Sequence, residues 1–452
     1  MRKRLLTAFA VLSFLGTVFA VPQSEAATPA DELIAACEAL YGDYMEVPTS
    51  EPLAVCQWDM ALIGANDDTF DRATGEGVKV GVIDSGIDFN HPDLAENIDV
   101  GLSCSFIFDD DPLALDVEKG NGDCSNKAAV QDYGDHGTHV ATTIAAPING
   151  FGMAGVAPEA TIVGLKVCSA IGYCFADSVA AALRYSGDVG LDVVNLSLFA
   201  DPYLFYCKND ATQRETFNMI ADAARYAQQK GVLIVAAAGN EANNLRHPGI
   251  DSISPDFPPG EEEIRDVTNA CRVAPTEIPG VVSVMSTGPI GYPGYGLNIA
   301  DYSTVGGTVA APGGDYNRAT GTRIDAILGG MSSTSDPVDG IWAFFDFLEQ
   351  NGGPGFKFLT VSYNDTRYGY LNGTSMASPH AAGVAALIIE QHPNWKPGAV
   401  AAALKRTATE QPCPADWAPL NDGDERDKCR GGKGHNDFFG HGLVSASAAT
   451  GG

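Results

Sequence analysis

The sequence predicts a single α/β domain in which a mainly parallel sheet lies between helices, a three-layer α/β/α arrangement. Short runs rich in Val and Ile alternate with longer alanine-rich segments along most of the 452 residues. Several of the apolar runs end directly at a polar residue and a glycine turn, which is typical of strands buried in a parallel sheet. The alternation forms one continuous pattern, which favours one large domain over two.

The predicted strands are apolar or β-branched runs bounded by turns: Lys79–Ile83, Thr161–Val167, Val193–Leu198, Val232–Ala236 and Val281–Val284. The predicted helices are His136–Ala146, Ala176–Ser186, Thr212–Lys230, Ser375–Gln391 and Pro397–Ala408. In such a fold the functional residues gather at the carboxyl ends of the strands.

The N-terminus has the pattern of a secretory signal peptide over residues 1–20. A basic start, Arg2-Lys3-Arg4, precedes an apolar core, and Val18-Phe19-Ala20 forms a cleavage site; cleavage after Ala26 or Ala27 is the alternative. We therefore expect a secreted, extracellular protein. Since no other apolar run is long enough to cross a bilayer, we expect a soluble chain without a membrane partner.

The charge of the chain is strongly acidic. A net charge of −30 becomes −33 once the three basic residues of the signal peptide are removed. Such a surface argues against nucleic acids and anionic membranes as partners. A salty habitat or calcium binding would also fit, but we interpret the charge as that of a well-solvated secreted protein, and we expect a monomer.

Ten cysteines in an exported chain predict an oxidising compartment and up to five disulfides. Pairing neighbours along the sequence gives Cys37–Cys56, Cys104–Cys124, Cys168–Cys174, Cys207–Cys271 and Cys413–Cys429. Sequence alone does not fix the connectivity, and free buried cysteines are the alternative for any pair.

Three polar residues stand in segments suited to nucleophilic catalysis. Ser375 lies in the stretch Gly373–His380 at the start of an apolar helix, where free backbone N–H groups can hold an oxyanion. His136 opens an alanine-rich helix, and Asp84 ends a buried strand. Each has a simpler explanation alone, as a capping serine, a core histidine and a turn aspartate. All three together favour a catalytic triad.

The order Asp, His, Ser and the three surrounding motifs resemble the subtilisin-like serine proteases (subtilases, peptidase family S8) from about Gln57 to Val444. The resemblance implies a subtilisin-like fold and a serine endopeptidase that forms an acyl-enzyme. It implies that Asp84 orients His136, that His136 acts as base and that Ser375 attacks the peptide carbonyl. His139 and His380, which lie close to these motifs, are interpreted as packed residues without chemistry.

The resemblance also assigns residues around the triad. Asn240, after the apolar run 231–239, matches the side-chain donor of the oxyanion hole; a turn residue is the alternative. The segments 196–198 and 236–239 match the two walls of the P1 pocket, where P1 is the substrate residue whose carbonyl is attacked. The segment 169–173 matches the edge that pairs with extended substrate. The substrate-binding residues expected are Ser197, Leu198, Phe199, Ala237, Gly239, Gly172 and Tyr173.

Two departures from the family pattern change these expectations. Phe199 stands where glycine is usual, which predicts a narrowed or partly covered P1 pocket. Only residues 21–55 lie between the signal peptide and the peptidase domain, residues 56–452. We expect this short N-terminal extension or pro-segment to be a tethered cap, because a Cys37–Cys56 bridge would hold it after cleavage between the two cysteines.

No cofactor is expected for the chemistry, but a structural calcium ion is a possible partner. Asp93 and Asn149 lie in segments that resemble two parts of a subtilase calcium site, and turn capping is the equal alternative.

Residues 104–132, 201–210 and 315–370 look like insertions that either shape substrate access or decorate the surface. Polypeptides are the expected substrates; a broad digestive enzyme, a selective processing protease and, less well supported, an esterase or an inactive scaffold remain open.

Overall fold

A computed structural model of the chain describes residues 28–42, 45–289, 297–315, 321–334, 341–414 and 428–452. The predicted signal peptide and residues 21–27 of the extension lie outside the described residues. The strands are β1 (Thr28–Pro29), β2 (Lys79–Asp84), β3 (Cys104–Ser105), β4 (Thr161–Lys166), β5 (Val193–Leu196), β6 (Phe205–Cys207), β7 (Leu233–Ala237), β8 (Ile250–Asp251), β9 (Arg265–Asp266), β10 (Cys271–Val273), β11 (Val282–Thr287), β12 (Val309–Pro312), β13 (Ile327–Gly330), β14 (Thr360–Tyr363), β15 (Thr366–Leu371), β16 (Gly431–Gly432) and β17 (His435–Asn436). The helices are α1 (Ala30–Tyr41), α2 (Trp58–Ile63), α3 (Asp67–Phe70), α4 (His136–Ala145), α5 (Ala176–Asp188), α6 (Ala211–Lys230), α7 (Ile341–Asn351), α8 (Thr374–Gln391), α9 (Pro397–Thr407) and α10 (Ala446–Ala449).

The central sheet has seven strands in the order β12-β11-β7-β5-β2-β4-β3, and all neighbouring strands are parallel. Successive side chains point to opposite faces. Val193 and Val235 pack with α4 and α8 on one face, whereas Val194 and Ile234 pack with α5 and α6 on the other. This confirms the predicted α/β fold with three layers in a single domain.

The predicted elements are all present, with small shifts at their ends. The strand predicted over Val193–Leu198 ends at Leu196, so that Ser197 and Leu198 leave the sheet. The helix predicted from Ser375 begins one residue earlier, at Thr374. Helix α8 is buried along nearly its whole length, as its alanine-rich sequence requires.

A second sheet, in the order β1-β14-β15-β13, forms largely from the predicted insertion at 315–370. Strands β14 and β15 make a hairpin whose two turn residues, Asn364 and Asp365, have φ values of 47° and 62°. Both angles are those of a type I′ turn, which suits the twist of a hairpin. Strand β13 contacts α4, so this sheet lies behind the helix that carries His136. Residues 316–320 and 335–340 of the insertion, and the side chains of its Trp342-Ala343-Phe344, lie outside the described residues.

The N-terminal extension is part of the core. Leu33, Cys37 and Tyr41 of α1 are buried in the same cluster as residues of α4 and α8, and β1 pairs with β14. Tyr41 donates a hydrogen bond to the carbonyl of Ile324 at 3.5 Å. The segment therefore packs with the second sheet.

Five disulfides confirm the predicted pairing: Cys37–Cys56, Cys104–Cys124, Cys168–Cys174, Cys207–Cys271 and Cys413–Cys429.

Within the part of the chain that the structure describes, no helix combines the length and apolar character needed to cross a bilayer.

Candidate active site

The central sheet brings the predicted catalytic segments to one edge. Asp84 is the last residue of β2, His136 the first of α4 and Ser375 the second of α8. Strands β7, β5 and β2 are neighbours, so Ser197 after β5 and Asn240 after β7 emerge at the same carboxyl edge. This is the edge at which parallel sheets place their ligand sites.

Asp84 and His136 are in direct contact. The Nδ1 atom of His136 lies 2.7 Å from Oδ1 of Asp84, and the same oxygen accepts a hydrogen bond from the backbone N–H of Ser85. Asp84 is buried, whereas the His136 side chain is 34 % exposed. The carboxylate therefore fixes a proton on Nδ1 and leaves Nε2 as the basic nitrogen.

Two glycines permit this contact. A side chain at Gly86, where φ is 115°, would collide with the backbone carbonyl oxygens of Val130 and Gln131. A side chain at Gly137 would collide with the backbone of Gly86. The glycines after Asp84 and His136 are thus required for the close approach of the two segments.

A second carboxylate lies beneath the pair. Asp132 is fully buried and accepts hydrogen bonds from Ser85 Oγ at 2.8 Å and from Thr138 N and Oγ1 at 2.8 and 2.6 Å. Burial lowers the pKa of His136, but the charge of Asp84, the hydrogen bond to it and the charge of Asp132 outweigh burial and raise that pKa above 6.5. The surroundings favour the imidazolium form.

Lys166 and Glu118 form a fully buried ion pair close to this network. The Lys166 ammonium lies 2.8 Å from Glu118 Oε1, with neither side chain exposed, and it also donates a hydrogen bond to the carbonyl of Ser85. Burial raises the pKa of Asp132, and the charge of Lys166 opposes that rise. Glu118 comes from the predicted insertion 104–132, which therefore does more than decorate the surface.

Ser375 is half-buried at the start of α8. Its hydroxyl donates to the carbonyl of Ser197 at 3.2 Å, and its own carbonyl accepts from Ser197 Oγ at 2.7 Å. The hydroxyl is thus engaged by Ser197 and not by His136 in this conformation. Catalytic hydrogen bonds are often formed fully only when substrate is bound.

Asn240 is exposed and is held through its oxygen. Oδ1 accepts hydrogen bonds from Thr374 N at 2.8 Å and from Thr374 Oγ1 at 3.0 Å. This leaves the Nδ2 group without an acceptor among the described residues, next to the residue that precedes Ser375. The N–H of Ser375 belongs to the first turn of α8, where backbone donors have no intrahelical acceptor.

The predicted substrate-binding residues lie in several different surroundings. Ser197 and Gly239 contact the start of α8, Ser197 through its hydroxyl and Gly239 through its N–H, which donates to Thr374 Oγ1 at 3.0 Å. Gly172 and Tyr173 lie in the loop closed by Cys168–Cys174. Ala237 is buried, and its carbonyl accepts a hydrogen bond from a threonine.

Phe199 and its neighbour Leu198 face different clusters. Leu198 packs against the core between the sheet, α5 and α6. Phe199 packs against a smaller apolar cluster that includes Leu204, Phe205 and Leu245. The narrowed P1 pocket stays a prediction.

Glu241 is a residue that the sequence reasoning missed. Its carboxylate accepts a hydrogen bond from the N–H of Asn240 at 2.8 Å and lies under Gly239. Burial raises its pKa to about 7, partly offset by hydrogen bonds from backbone N–H groups. The signal was available, since an acid follows directly after the Gly-Asn turn that flanks the predicted pocket.

The two predicted calcium ligands differ in their surroundings. Asp93 is fully buried, accepts hydrogen bonds from Met153 N and Tyr368 Oη, and has a pKa raised to about 8, mainly by burial. Its Oδ1, like Oε2 of buried Glu51, has no hydrogen-bond partner among the described residues. Asn149 is exposed, and its Oδ1 accepts from Phe151 N. Asp93 and Glu51 suit a hard cation, whereas Asn149 is occupied within its own loop.

The described residues contain no cluster of three or more His, Cys, Asp or Glu side chains arranged to hold a metal ion. Any cation near Asp93 would need backbone carbonyl oxygens as further ligands.

His139 and His380, which we interpreted as packed, are both fully buried. His139 Nε2 lies 3.0 Å from the carbonyl of Ile327, and His380 Nε2 lies 2.9 Å from Asp59.

Comparison with known proteins identifies the family. The model of the subtilase family, Peptidase_S8, matches residues 75–442, most of the chain, and the chain therefore belongs to the subtilase family. This confirms the resemblance seen in the sequence.

Several relatives share this similarity over most of the chain. M-protease of Shouchella clausii is 30% identical over 381 residues, which cover 83% of this chain and 65% of that protein. Subtilisin Savinase of Lederbergia lenta is also 30% identical, over 83% of this chain and 92% of the relative. Fervidolysin of Fervidobacterium pennivorans is 28% identical, over 78% of this chain and 40% of that protein. The chain thus spans less than two thirds of the length of fervidolysin and of M-protease.

Solved structures agree with the fold. The crystal structure of fervidolysin, described as a keratinolytic enzyme related to subtilisin, matches with a TM-score of 0.58 and 26% identity, over 89% of this chain and 46% of that one. A protease from Pseudoalteromonas arctica matches with a TM-score of 0.58 and 26% identity, over 90% of this chain and 99% of the other.

Proposed function

We propose that the protein is a secreted serine endopeptidase, a hydrolase that cleaves peptide bonds through an Asp84–His136–Ser375 triad. The observation that carries the proposal is the 2.7 Å contact between Asp84 Oδ1 and His136 Nδ1 at the sheet edge where α8 presents Ser375. Secretion is supported by the signal sequence and by five disulfides, which persist in oxidising compartments.

In the proposed mechanism the Ser375 hydroxyl turns from the Ser197 carbonyl to Nε2 of His136 when substrate binds. His136 takes the hydroxyl proton as Oγ attacks the peptide carbonyl, and the new imidazolium is stabilised by Asp84. His136 returns the proton to the leaving amine, which leaves an acyl group on Ser375. A water molecule then attacks the acyl group while His136 takes its proton. His136 gives that proton to Ser375 Oγ as the ester bond breaks, which releases the carboxylic acid product.

The oxyanion formed in each step needs two donors. We assign these to Nδ2 of Asn240 and to the backbone N–H of Ser375. The hydrogen bonds from Thr374 to Oδ1 of Asn240 fix the amide before substrate arrives, so that little reorganisation is needed during the reaction. No cofactor takes part in these steps.

The P1 pocket is assigned to Ser197, Leu198, Phe199, Ala237 and Gly239, and the substrate-pairing edge to Gly172 and Tyr173. An edge of this kind binds an extended chain through backbone hydrogen bonds. This favours a peptidase over an esterase, which would have no use for such an edge. A cleavage-site map of unfolded casein would separate broad from selective cleavage.

Intact mass spectrometry before and after treatment with a fluorophosphonate tests the activity. We expect a single adduct, mapped to Ser375 in the native protein and absent from the Ser375→Ala variant. A correctly folded wild-type protein that takes up no adduct would refute the assignment of Ser375 as an activated nucleophile.

The same mass measurement reports on the N-terminal extension. We propose that residues 28–55 remain with the peptidase as a structural segment, because Leu33 and Cys37 are buried in the main core and Cys37 is bonded to Cys56. A mature protein that begins between Cys56 and Gly75 would contradict this proposal.

A structural calcium ion near Asp93 remains part of the proposal. Asp93 and Glu51 are the side chains that would bind it, and Asn149 would have to release Phe151 N to join them. Such an ion would supply positive charge to these buried carboxyl groups and would have no part in the hydrolytic steps.

A further inference from the structure

A short segment that follows β13 is bonded to the loop that leads into α4. It consists of Ser332, Ser333 and Thr334 and is here called the loop clamp. Between β13 and the loop clamp, the backbone N–H of Met331 donates to the carbonyl of Arg367 in β15 at 2.9 Å. The loop clamp is therefore a continuation of the second sheet and is anchored by it.

The loop clamp holds both ends of the loop before α4, residues 132–135. The hydroxyls of Ser332 and Thr334 both donate to the carbonyl of Asp132 at 2.6 Å. The backbone N–H of Ser332 donates to Oδ1 of Asp135 at 2.7 Å. Both Ser332 and Asp135 are buried, so water competes little for this last bond.

The loop clamp also reaches the segment that follows Asp84. The N–H and the hydroxyl of Ser333 donate to Oδ2 of Asp88 at 2.8 and 2.7 Å. The backbone N–H of Asp88 in turn donates to Thr138 Oγ1 in α4 at 3.1 Å. One segment thus joins the two parts of the chain that bring Asp84 and His136 into contact.

Asp135 has a backbone conformation that favours glycine. Its φ is 66°, in the left-handed region, which residues other than Gly, Asn and Asp rarely adopt. Since glycine would take this conformation without strain, the aspartate points to a use for its carboxylate. An aspartate at the N-cap of a helix usually accepts from the first turn of that helix. Here the carboxylate accepts instead from Ser332, 197 positions later.

We propose that Asp135 is a positioning residue, through which the loop clamp keeps the next residue, His136, aligned for catalysis. The imidazole must stay in line with Asp84 and Ser375 while it takes and returns a proton. A displacement of about 1 Å lowers the rate about a hundredfold, and bonds at both ends of the loop restrict such a displacement. Because Asp135 is buried, it acts on the alignment of the imidazole and not on substrate binding.

This inference rests on the proposed peptidase activity, and Asp135→Gly tests it. The substitution removes the carboxylate but suits the backbone conformation, so a mere turn residue could be replaced in this way without loss of activity. We expect kcat to fall about tenfold or more, with KM changed by less than about twofold. Initial rates are measured on a fluorogenic peptide that contains a site cleaved by the wild type in casein.

Two further variants separate the hydrogen bond from other effects. Asp135→Asn keeps an oxygen that can accept from the N–H of Ser332 and tolerates the same φ, so it should recover most of the lost kcat. The matched control is Asp365→Gly, the same substitution at a φ of 62°. Asp365 is exposed in the turn between β14 and β15, so its loss should leave kcat unchanged.

The outcomes that overturn the inference are distinct from failure of the proposed function. A folded Asp135→Gly variant with wild-type kcat, or with a change confined to KM, overturns it. Asp135→Asn as slow as Asp135→Gly also overturns it, because charge and not the hydrogen bond would then matter. In these cases labelling of Ser375 by the fluorophosphonate leaves the proposed function standing. Absence of both labelling and cleavage in the wild type overturns both.

A variant of the loop clamp keeps the test open if Asp135→Gly does not fold, as judged by its melting transition. Ser332→Ala removes a bond to the carbonyl of Asp132, at the other end of the loop. It should lower kcat about threefold or more at an unchanged KM. Wild-type kcat in this variant would overturn the inference.

Discussion

Replacing Glu118 with glutamine should destabilise the protein far more than the loss of a surface carboxylate. Glu118 lies 2.8 Å from the Lys166 ammonium, and neither side chain is exposed. The glutamine is nearly the same size, so the substitution removes charge without opening a cavity. It leaves the Lys166 ammonium buried without its carboxylate partner, which is the costly half of a broken ion pair.

The magnitude follows from that burial. Removing one partner of a buried pair costs about 3–5 kcal/mol. An unfolding entropy of about 2.1 cal/mol/K per residue gives roughly 0.8 kcal/mol/K for a chain of roughly 400 residues. The melting temperature of Glu118→Gln should therefore lie about 4–6 °C below that of the parent.

Differential scanning calorimetry in a Ser375→Ala background measures this shift without self-digestion. The matched control is Asp222→Asn, which breaks a pair with Arg225 whose side chains are 57% and 62% exposed. Such a pair contributes about 0.3–0.5 kcal/mol, so the control should melt within about 1 °C of the parent. Equal shifts for the two variants would refute the reasoning that burial sets the cost.

Three further predictions concern the site. Asn240→Ala should lower kcat by about two to three orders of magnitude, with little change in the melting temperature; a loss below about threefold would exclude Asn240 as a donor. The acid limb of the kcat/KM profile should lie above pH 6.5, because the pKa of His136 is raised and the base must be neutral; Asp132→Asn should move that limb to lower pH, and an unmoved limb would count against the role of its charge. Calcium chelation should lower the melting temperature of wild type but not of Asp93→Asn, and equal sensitivity would place the ion elsewhere.

The central sheet and the edge that gathers Asp84, His136 and Ser375 could be predicted because their signals are local. The run that ends at Asp84 combines a strand pattern with a glycine turn, and the helix after His136 begins with another glycine. Both glycines proved necessary for the contact between the segments. The disulfides could be predicted because each joins cysteines that are neighbours in the sequence.

The second sheet could not be predicted, because its pairing is non-local. Thr28 pairs with Val361, more than three hundred residues later. Strand β1 has only two residues, which are too few to show the alternation of apolar and polar side chains that predicts a strand. The contact between the rings of Phe257 and Tyr173 could not be predicted for the same reason, because it depends on the folding of a long connection. The burial of Glu118 could not be predicted because it lies in an Asp-rich segment whose composition is typical of a solvated loop. A signal was present, however, since Lys166 at the end of an apolar strand would need an acidic partner if buried.

The charges around His136 give the insertion at 104–132 a consequence for the proposed chemistry. Formation of the imidazolium is favoured by the buried carboxylates Asp84 and Asp132. The Lys166 ammonium, which donates to the carbonyl of Ser85, would oppose it if it stood alone, since charges interact strongly in a poorly polarisable interior. Glu118 neutralises that ammonium at 2.8 Å, so the pocket beneath the imidazole keeps its negative balance. A segment that looks like surface decoration thus supplies the charge that lets the buried Lys166 lie beside strand β2.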